Sequence, residues 1–314
     1  MQCKLRFLIS GPGLIGKQHA RLIEQSDDCE LVAIVAPDHA QNKEFAAAHS
    51  VRFYTDLEQA LSEQKIDACI ISSPNAFHYD QASICLARGI PCLVEKPVTD
   101  SLETAAELVE QVKRSGVPLL VGHHRRYSVL LDKAVEFLHS ERFGRLVALQ
   151  GAALFYKPAS YFVDGPWRAV AGGGPILINL IHEVDLMRQF GGEIASVQAL
   201  AGHDIRNFAV EDTVSIGIKF RNGALGSFLL SDIAASSKSW EMTSGENPAY
   251  PHFSDEAFYH FAGTNGSLDF PSMQVKAYGG EDKRSWWKPF EAFALDFVPR
   301  DPLTAQLEHF VDVI

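Results

Sequence analysis

The stretch KLRFLISGPGLIGKQHARLIEQ, residues 4–25, decides the architecture. Residues 4–10 are an apolar run typical of a buried parallel strand, GPGLIG (11–16) follows at once, and a helix opens there and runs to about Gln25. Strand, glycine turn and helix in that order form the context in which a GxGxxG spacing binds a dinucleotide. Gly11 makes the tight turn, Gly13 lets backbone approach a pyrophosphate, and Gly16 lets the helix pack on the strand. Leu14 and Ile15 then belong to the helix amino terminus that meets the phosphates.

Working outward, the second strand ELVAIVAPD (30–38) ends at Ala36, beside the place where an acidic residue accepts from the adenosine ribose. The nearest carboxylate is Asp38, which reads either as that acceptor, favouring NAD over NADP, or as a plain helix cap, with His39 and Lys43 close by. After VRFY (51–54) and a helix from Asp56, the strand DACIISSP (67–74) brings Ser73, Pro74 and Asn75 to the carboxyl edge, where a loop lies along the nicotinamide half of a cofactor. His78 opens the next helix, either as a ligand contact or as a residue satisfied by neighbouring backbone.

LVEKPVTD (93–100) reaches the same edge, where open α/β sheets place their chemistry. Lys96, pinned by the fixed ring of Pro97, presents a point positive charge suited to a developing alkoxide; standing alone it reads equally as a surface lysine. Glu95 tunes that lysine or faces solvent. A capped helix from Ser101 to about Ser115 and the strand VPLLVG (117–122) complete six β-like runs alternating with helices, a doubly wound parallel sheet. HHRRY (123–127) leads into a linking helix over about 125–140. His123 and His124 are adjacent, not four apart on one helical face, so no metal site is read there, and Arg125 and Arg126 read mainly as surface ion-pair partners.

From about Gly144 the pattern changes to longer β-like runs: 146–156, 193–204, 212–220 and 224–233. Arg221-Asn222-Gly223 and Asn265-Gly266 are hairpin signals, so a separate antiparallel or mixed sheet follows. The expected division is a dinucleotide-binding domain over 1–122 and an α/β domain for substrate and oligomer contacts over 123–314. One helix interrupts the second pattern, AGGGPILINLIHEVDLMRQFGG (171–192). Asn179, His182 and Asp185 fall at i, i+3 intervals on it, and the glycines ahead of them let backbone approach a ligand. A histidine on an otherwise apolar helix needs a partner or a ligand, and core packing is the competing explanation. The loop 240–260, rich in aromatics, reads as a substrate cover or an oligomer contact.

Composition narrows the partners. The net charge of -11 argues against nucleic acid or an anionic membrane surface and leaves a small molecule as the expected partner. No apolar run reaches the ~18 residues that span a bilayer. Five cysteines, all in the first third and none at CxxC spacing, read as buried free thiols, pointing to a reducing, cytoplasmic setting.

Four motifs in order, GPGLIG, EKPV, VGHHRRY and GGGPILINLIHEVDL, resemble the glucose-fructose oxidoreductase, inositol dehydrogenase and rhizopine-catabolism family over essentially the whole chain. The resemblance implies a Rossmann domain, and a carboxy-terminal domain whose open sheet forms homodimer or homotetramer contacts. It also implies NAD(P)-linked oxidation or reduction of sugars, polyols and related carbonyls. Carried over, Lys96 is the EKP lysine and His182 the catalytic histidine, which takes the hydroxyl proton while Lys96 stabilises the oxygen. Many polyol dehydrogenases of this family have an Asp four residues before that histidine; here Ile178 stands there, followed by Asn179, and Asp185 one turn on is the available substitute. Tyr156, Arg168, Asn179 and Asp185 are the next candidates for substrate contact. The family also includes a non-catalytic dinucleotide sensor and an NAD-dependent glycosidase, the alternative readings. Its members run further than HFVDVI, which implies a truncated terminus.

Overall fold

The computed structural model describes residues 4–314. The first part of the chain follows the alternation of its apolar runs. Strands β1 (Leu5–Ser10), β2 (Cys29–Val35), β3 (Arg52–Tyr54), β4 (Ala68–Ile71), β5 (Cys92–Val94) and β6 (Leu119–Val121) are joined by helices α1 (Leu14–Gln25), α2 (Ala40–Ala48), α3 (Leu57–Glu63), α4 (His78–Ala87) and α5 (Leu102–Ser115). Among the described residues they make a six-stranded parallel sheet in the order β3-β2-β1-β4-β5-β6. The order reverses between β1 and β4, so the carboxyl ends of those two strands open the crevice in which such sheets bind ligands.

Alternate residues of the strands feed two separate cores, as the two-residue period requires. Leu8, Val35, Ile71 and Val94 pack on one side, and Phe7, Ile9, Ile34 and Ile70 on the other. Ser101 caps α5 by accepting from the Thr104 backbone N–H at 3.1 Å, and Gly116, at φ 66°, ends it. Cys29, Cys69, Cys85 and Cys92 are buried free thiols; Cys3 lies outside the described residues.

The second unit comprises α6 (Val129–Leu138), β7 (Leu146–Leu154), α7 (Ala159–Val163), α8 (Ile181–Gly191), β8 (Ile194–Gly202), β9 (Thr213–Phe220), β10 (Leu225–Ser231), α9 (Trp240–Thr243), β11 (Tyr259–Gly263), β12 (Gly266–Phe270), β13 (Gln274–Ala277) and β14 (Glu291–Ala294). Among the described residues its sheet has eight strands in the order β14-β13-β12-β11-β7-β10-β9-β8. β7 and β10 pair parallel and the other neighbours antiparallel, so the sheet is mixed. Both expected hairpins form, with Gly223 at φ 92° in one and β11 paired to β12 in the other. One face is core: Val214, Ile216, Ile218 and Phe220 of β9 alternate inward against Leu130 of α6 and Leu186 and Phe190 of α8.

The boundary differs from the expected one. The compact units are the chain up to His124 with Leu303–Ile314, and Arg125–Pro302. The last helix, α10 (Pro302–Val313), therefore returns to the first unit. Its apolar residues Leu307 and Phe310 join Phe7, Ile9 and Ile23, with the Phe310 ring edge-on to Phe7 at 5.9 Å. An amphipathic helix at the chain's end reads alike whichever core it covers. Among the described residues no helix is long and apolar enough to cross a membrane.

Candidate active site

In the first unit the glycine turn takes the shape its spacing demands. Gly11 sits at φ 91°, and a Cβ there would lie 2.5 Å from the Ser73 backbone, so only glycine allows the β1 turn to nestle against the loop after β4. A Cβ on Gly16 would lie 2.2 Å from the Gly11 carbonyl oxygen, which fixes how closely α1 packs on the turn. At Gly13 a Cβ would meet nothing within 4 Å. Gly13 is also the N-cap of α1; no side chain caps that end, and the first turn carries no acidic residue. Leu14 is 80% exposed and Ile15 partly so. Open space in front of Gly13, backed by N–H groups and the positive end of a 12-residue helix, fits a pyrophosphate.

The loop after β4 is built to stay in place. Ser72 Oγ donates to the Gly11 carbonyl at 2.7 Å, and Ser10 Oγ and Ser73 Oγ both donate to Gln81 Oε1, at 3.0 and 2.8 Å. Pro74 and Asn75 lead from there into α4. His78 is buried between two carbonyls, Nδ1 2.8 Å from Pro97 O and Nε2 2.7 Å from Ser73 O. Of the two readings of His78 the backbone-satisfied one describes its position: the imidazole ties the Ser73 loop to the Lys96–Pro97 loop. Asp38 does not cap α2, whose N-cap is His39; it is exposed and its Oδ1 pairs with Lys43 Nζ at 2.5 Å.

Glu95 does not face solvent. Its carboxylate accepts from His19 Nε2 at 3.0 Å and from the Lys96 backbone N–H at 3.3 Å. Burial pushes the Glu95 carboxyl up, but the His19 hydrogen bond, with His124 and Lys96 nearby, outweighs it and holds the group below the ordinary carboxylate range. The dinucleotide helix α1, which carries His19, is thereby tied to the loop that presents Lys96, itself partly exposed.

In the second unit, 171–192 is not one continuous helix. A π-helical turn, Ile176–Leu180, precedes α8, and such turns recur at functional sites. His182 stands in the first turn of α8, buried at 7% exposure. The next residue, Glu183, is the centre of a buried network: Arg125 Nη1 donates to its Oε1 at 2.5 Å and Tyr259 Oη to its Oε2 at 2.8 Å. Arg125 also donates to Glu241 Oε1 at 2.9 Å and lies 4.8 Å from the Trp240 ring centre. Burial pushes the Glu183 carboxyl up, though Arg125 and Tyr259 oppose it. Burial lowers Arg125, yet Glu183 and Glu241 more than compensate, so its guanidinium is raised. Arg125 is therefore core scaffold, not the surface residue expected. Arg126 does form an ion pair, two hydrogen bonds to Asp185 at 2.8 and 2.6 Å, so Asp185 is engaged by a guanidinium.

The other sequence candidates sit around the loop after β7. Tyr156 is exposed and bridges to Ile233. Arg168 folds back on its own loop, donating from Nη1 to the Tyr161 carbonyl at 2.5 Å with its guanidinium 3.9 Å from the Tyr161 ring centre. Asn179 Oδ1 accepts from Lys157 Nζ at 2.6 Å. Lys157 was not legible as a site residue; the one local sign is a lysine inside the aromatic run FYKPASYF, 155–162. Its side chain is 12% exposed, and burial, partly offset by Asp232 and Glu241, pulls its ammonium down to about 8. Among the described residues no group of three or more His, Cys, Asp or Glu side chains could hold a metal ion.

Comparison with known proteins bears on both units. The chain is 26% identical over 231 residues, 72% of either protein, to 4-carboxy-2-hydroxymuconate-6-semialdehyde dehydrogenase of Sphingobium sp. strain SYK-6. It is 29% identical over 211 residues to inositol 2-dehydrogenase of Arthrobacter sp. strain FB24, spanning 65% of this chain and 59% of that one. The crystal structure of the WlbA dehydrogenase from Bordetella pertussis, in complex with NADH and UDP-GlcNAcA, superposes with a TM-score of 0.73 at 25% identity, covering 85% of this chain and 77% of that one. Residues 5–123 match the model of the oxidoreductase family with an NAD-binding Rossmann fold, and 131–269 match the GFO/IDH/MocA C-terminal domain. With the glycine cradle in one unit and the His182 helix in the other, the chain belongs to the GFO/IDH/MocA family of oxidoreductases.

Proposed function

We propose that the protein transfers a hydride between a bound nicotinamide and a secondary alcohol or carbonyl of a sugar, polyol or related small molecule. The observation that carries this reading is the glycine cradle, with open space at Gly13 before the uncapped end of α1. A dinucleotide held there supplies the hydride acceptor or donor. The chain's own groups manage the substrate oxygen. In the oxidative direction the His182 imidazole takes the hydroxyl proton, and Lys96 donates to the same oxygen and stabilises its negative charge. The His19–Glu95 pair holds the Lys96 backbone N–H, so the ammonium is presented from a fixed loop. Exposed Asp38 disfavours a 2′-phosphate, and its pairing with Lys43 weakens that bias, so NAD is preferred by a modest ratio. The relatives' names, an inositol dehydrogenase and a semialdehyde dehydrogenase, support a hydroxyl- or carbonyl-bearing substrate.

The test is the nicotinamide absorbance change with NAD and with NADP across polyols, aldoses and hydroxy acids, run beside Lys96→Met. Turnover in the wild type that falls about a hundredfold or more in the variant is expected. Cofactor binding with no turnover of any compound refutes the reading. The uncovered sheet face, with Val147, Val197, Leu200, Leu225 and Leu229 exposed, suits a second copy of the chain in a homodimer or homotetramer. Leu200→Glu should then lower the mass measured by light scattering; an unchanged mass rejects that face.

A further inference from the structure

Linked to the π turn before the His182 helix through Asn179 is a charged cluster that the proposed proton transfers do not use. Asp232 is held by Arg206, whose Nε donates to Oδ1 at 2.8 Å and whose Nη2 reaches the Asp232 and Lys157 carbonyls at 2.5 and 2.8 Å. Glu241 is held by Arg125. Each of the two carboxylates acting on Lys157 is thus hydrogen-bonded to an arginine of its own. Lys157 Nζ stands 3.7 Å from Asp232 Oδ2, beyond hydrogen-bond distance, and among the described residues its hydrogen bond goes to the neutral amide of Asn179. Its ammonium lies over two rings, 4.9 Å from the centre of Tyr161 and 5.4 Å from that of Phe155. Asn179 lies three residues before His182 on the π turn, and Ile178 puts no carboxylate beside it.

A largely buried ammonium has three donors and needs an acceptor, ideally a charged one. The geometry points to Lys157 as the residue that takes a carboxylate of the substrate, so the substrate class is an acidic sugar or hydroxy acid. Arg168, whose guanidinium also acts on Lys157, adds positive potential on the same loop. An incoming carboxylate would bridge Lys157 while Asn179, sharing the ammonium, orients it toward the helix that carries His182. The inference rests on the dehydrogenase reading for turnover alone; the binding it claims is measured independently.

The test pairs acids with neutral counterparts: D-gluconate against D-glucitol and D-glucuronate against D-glucose, in the full chain with NAD present, for wild type, Lys157→Met and Lys157→Arg. Calorimetry gives Kd and absorbance gives KM and kcat. The expected result is tighter binding of the acids by wild type, loss of at least tenfold of that preference in Lys157→Met with the neutral compounds unaffected, and recovery in Lys157→Arg. A second readout needs no variant. Binding of the acid should weaken as pH rises past about 8, where the ammonium set among Asp232, Glu241, Arg206, Arg168 and Tyr161 loses its proton. Acid binding that depends on Lys157 without any turnover sustains the inference and sinks the dehydrogenase reading. Turnover of neutral compounds with no preference for acids, or equal losses on both in Lys157→Met, overturns the inference and leaves that reading standing.

Discussion

Replacing Lys157 by Met should make the protein more stable at neutral pH. Burial lowers the lysine from its ordinary 10.5 to about 8. Such a drop corresponds to about 3 kcal/mol, the cost of keeping the ammonium charged in its folded surroundings. With the side chain 12% exposed, solvent screening removes little of it. Methionine has similar length and no charge, and it gives up the hydrogen bond to Asn179, worth about 1 kcal/mol, so the net gain is about 2 kcal/mol at pH 7. The sign with pH follows from proton binding. Because the folded pKa is the lower one, the unfolded chain binds more protons between about 8 and 10.5, and wild-type stability rises with pH across that window. The variant lacks this rise, so its advantage should vanish by pH 10 and then reverse. All four tryptophans, Trp167, Trp240, Trp286 and Trp287, lie in the second unit, so urea denaturation followed by tryptophan fluorescence reads the unit that holds Lys157. A variant less stable than wild type at pH 7, or an advantage that does not shrink as pH rises, would refute the reasoning. A residue that costs stability in the free protein is most readily understood as one kept for a ligand.

Three further outcomes are expected. Gly13→Ala should fold as wild type and bind NAD at least tenfold more weakly, whereas Gly16→Ala, whose methyl would meet the Gly11 carbonyl at 2.2 Å, should lose about 3 kcal/mol or more; calorimetry and thermal unfolding separate the two, and equal stabilities would contradict the geometry. Tyr259→Phe removes a donor from the buried Glu183 and should cost about 1–3 kcal/mol in chemical denaturation, an effect absent if that carboxylate is satisfied otherwise. Burial raises Glu246, held by Ser128 and Trp240, to about 7, so its folded carboxyl keeps a proton that the unfolded chain releases, and wild-type stability falls as pH rises from about 4.5 through 7. Glu246→Gln should therefore be more stable than wild type at pH 8, by about 2–3 kcal/mol, and about equal at pH 5; the same midpoint at both pH values counts against it.

How much was legible follows from the range of the interactions. Gly11 and Gly16 act through backbone within one turn, and their spacing alone predicts the tight turn and the close helix packing that form. The alternation of strands with helices and both hairpins follow from periodicity and turn residues that lie next to each other in the chain. Partners far apart left no local trace. Arg125 reads as a surface residue until Glu183, 58 residues on, and Glu241, 116 residues on, enclose it. Asp185 shows no local sign of its guanidinium partner, Arg126, which lies 59 residues earlier and donates two hydrogen bonds to it. The π turn is set by tertiary packing and has no periodicity of its own, so 171–192 reads as a plain helix.

The same accounting separates scaffold from site among the buried charges. Arg125 and Arg206 each hydrogen-bond a carboxylate of their own, and a pair so arranged has its main effect on packing and orientation. Glu95, satisfied by His19 and by backbone, is likewise committed, and what it fixes is the loop of Lys96. Lys157 differs: its side chain is 12% exposed, its hydrogen bond goes to a neutral amide, and it pairs with the carboxylate of Asp232 only at 3.7 Å. Folding alone gives no reason to keep an ammonium there, since methionine would fill the space at lower cost. A substrate carboxylate supplies the reason, and Asn179, which shares the ammonium, stands three residues before the histidine on which the proposed proton transfer depends.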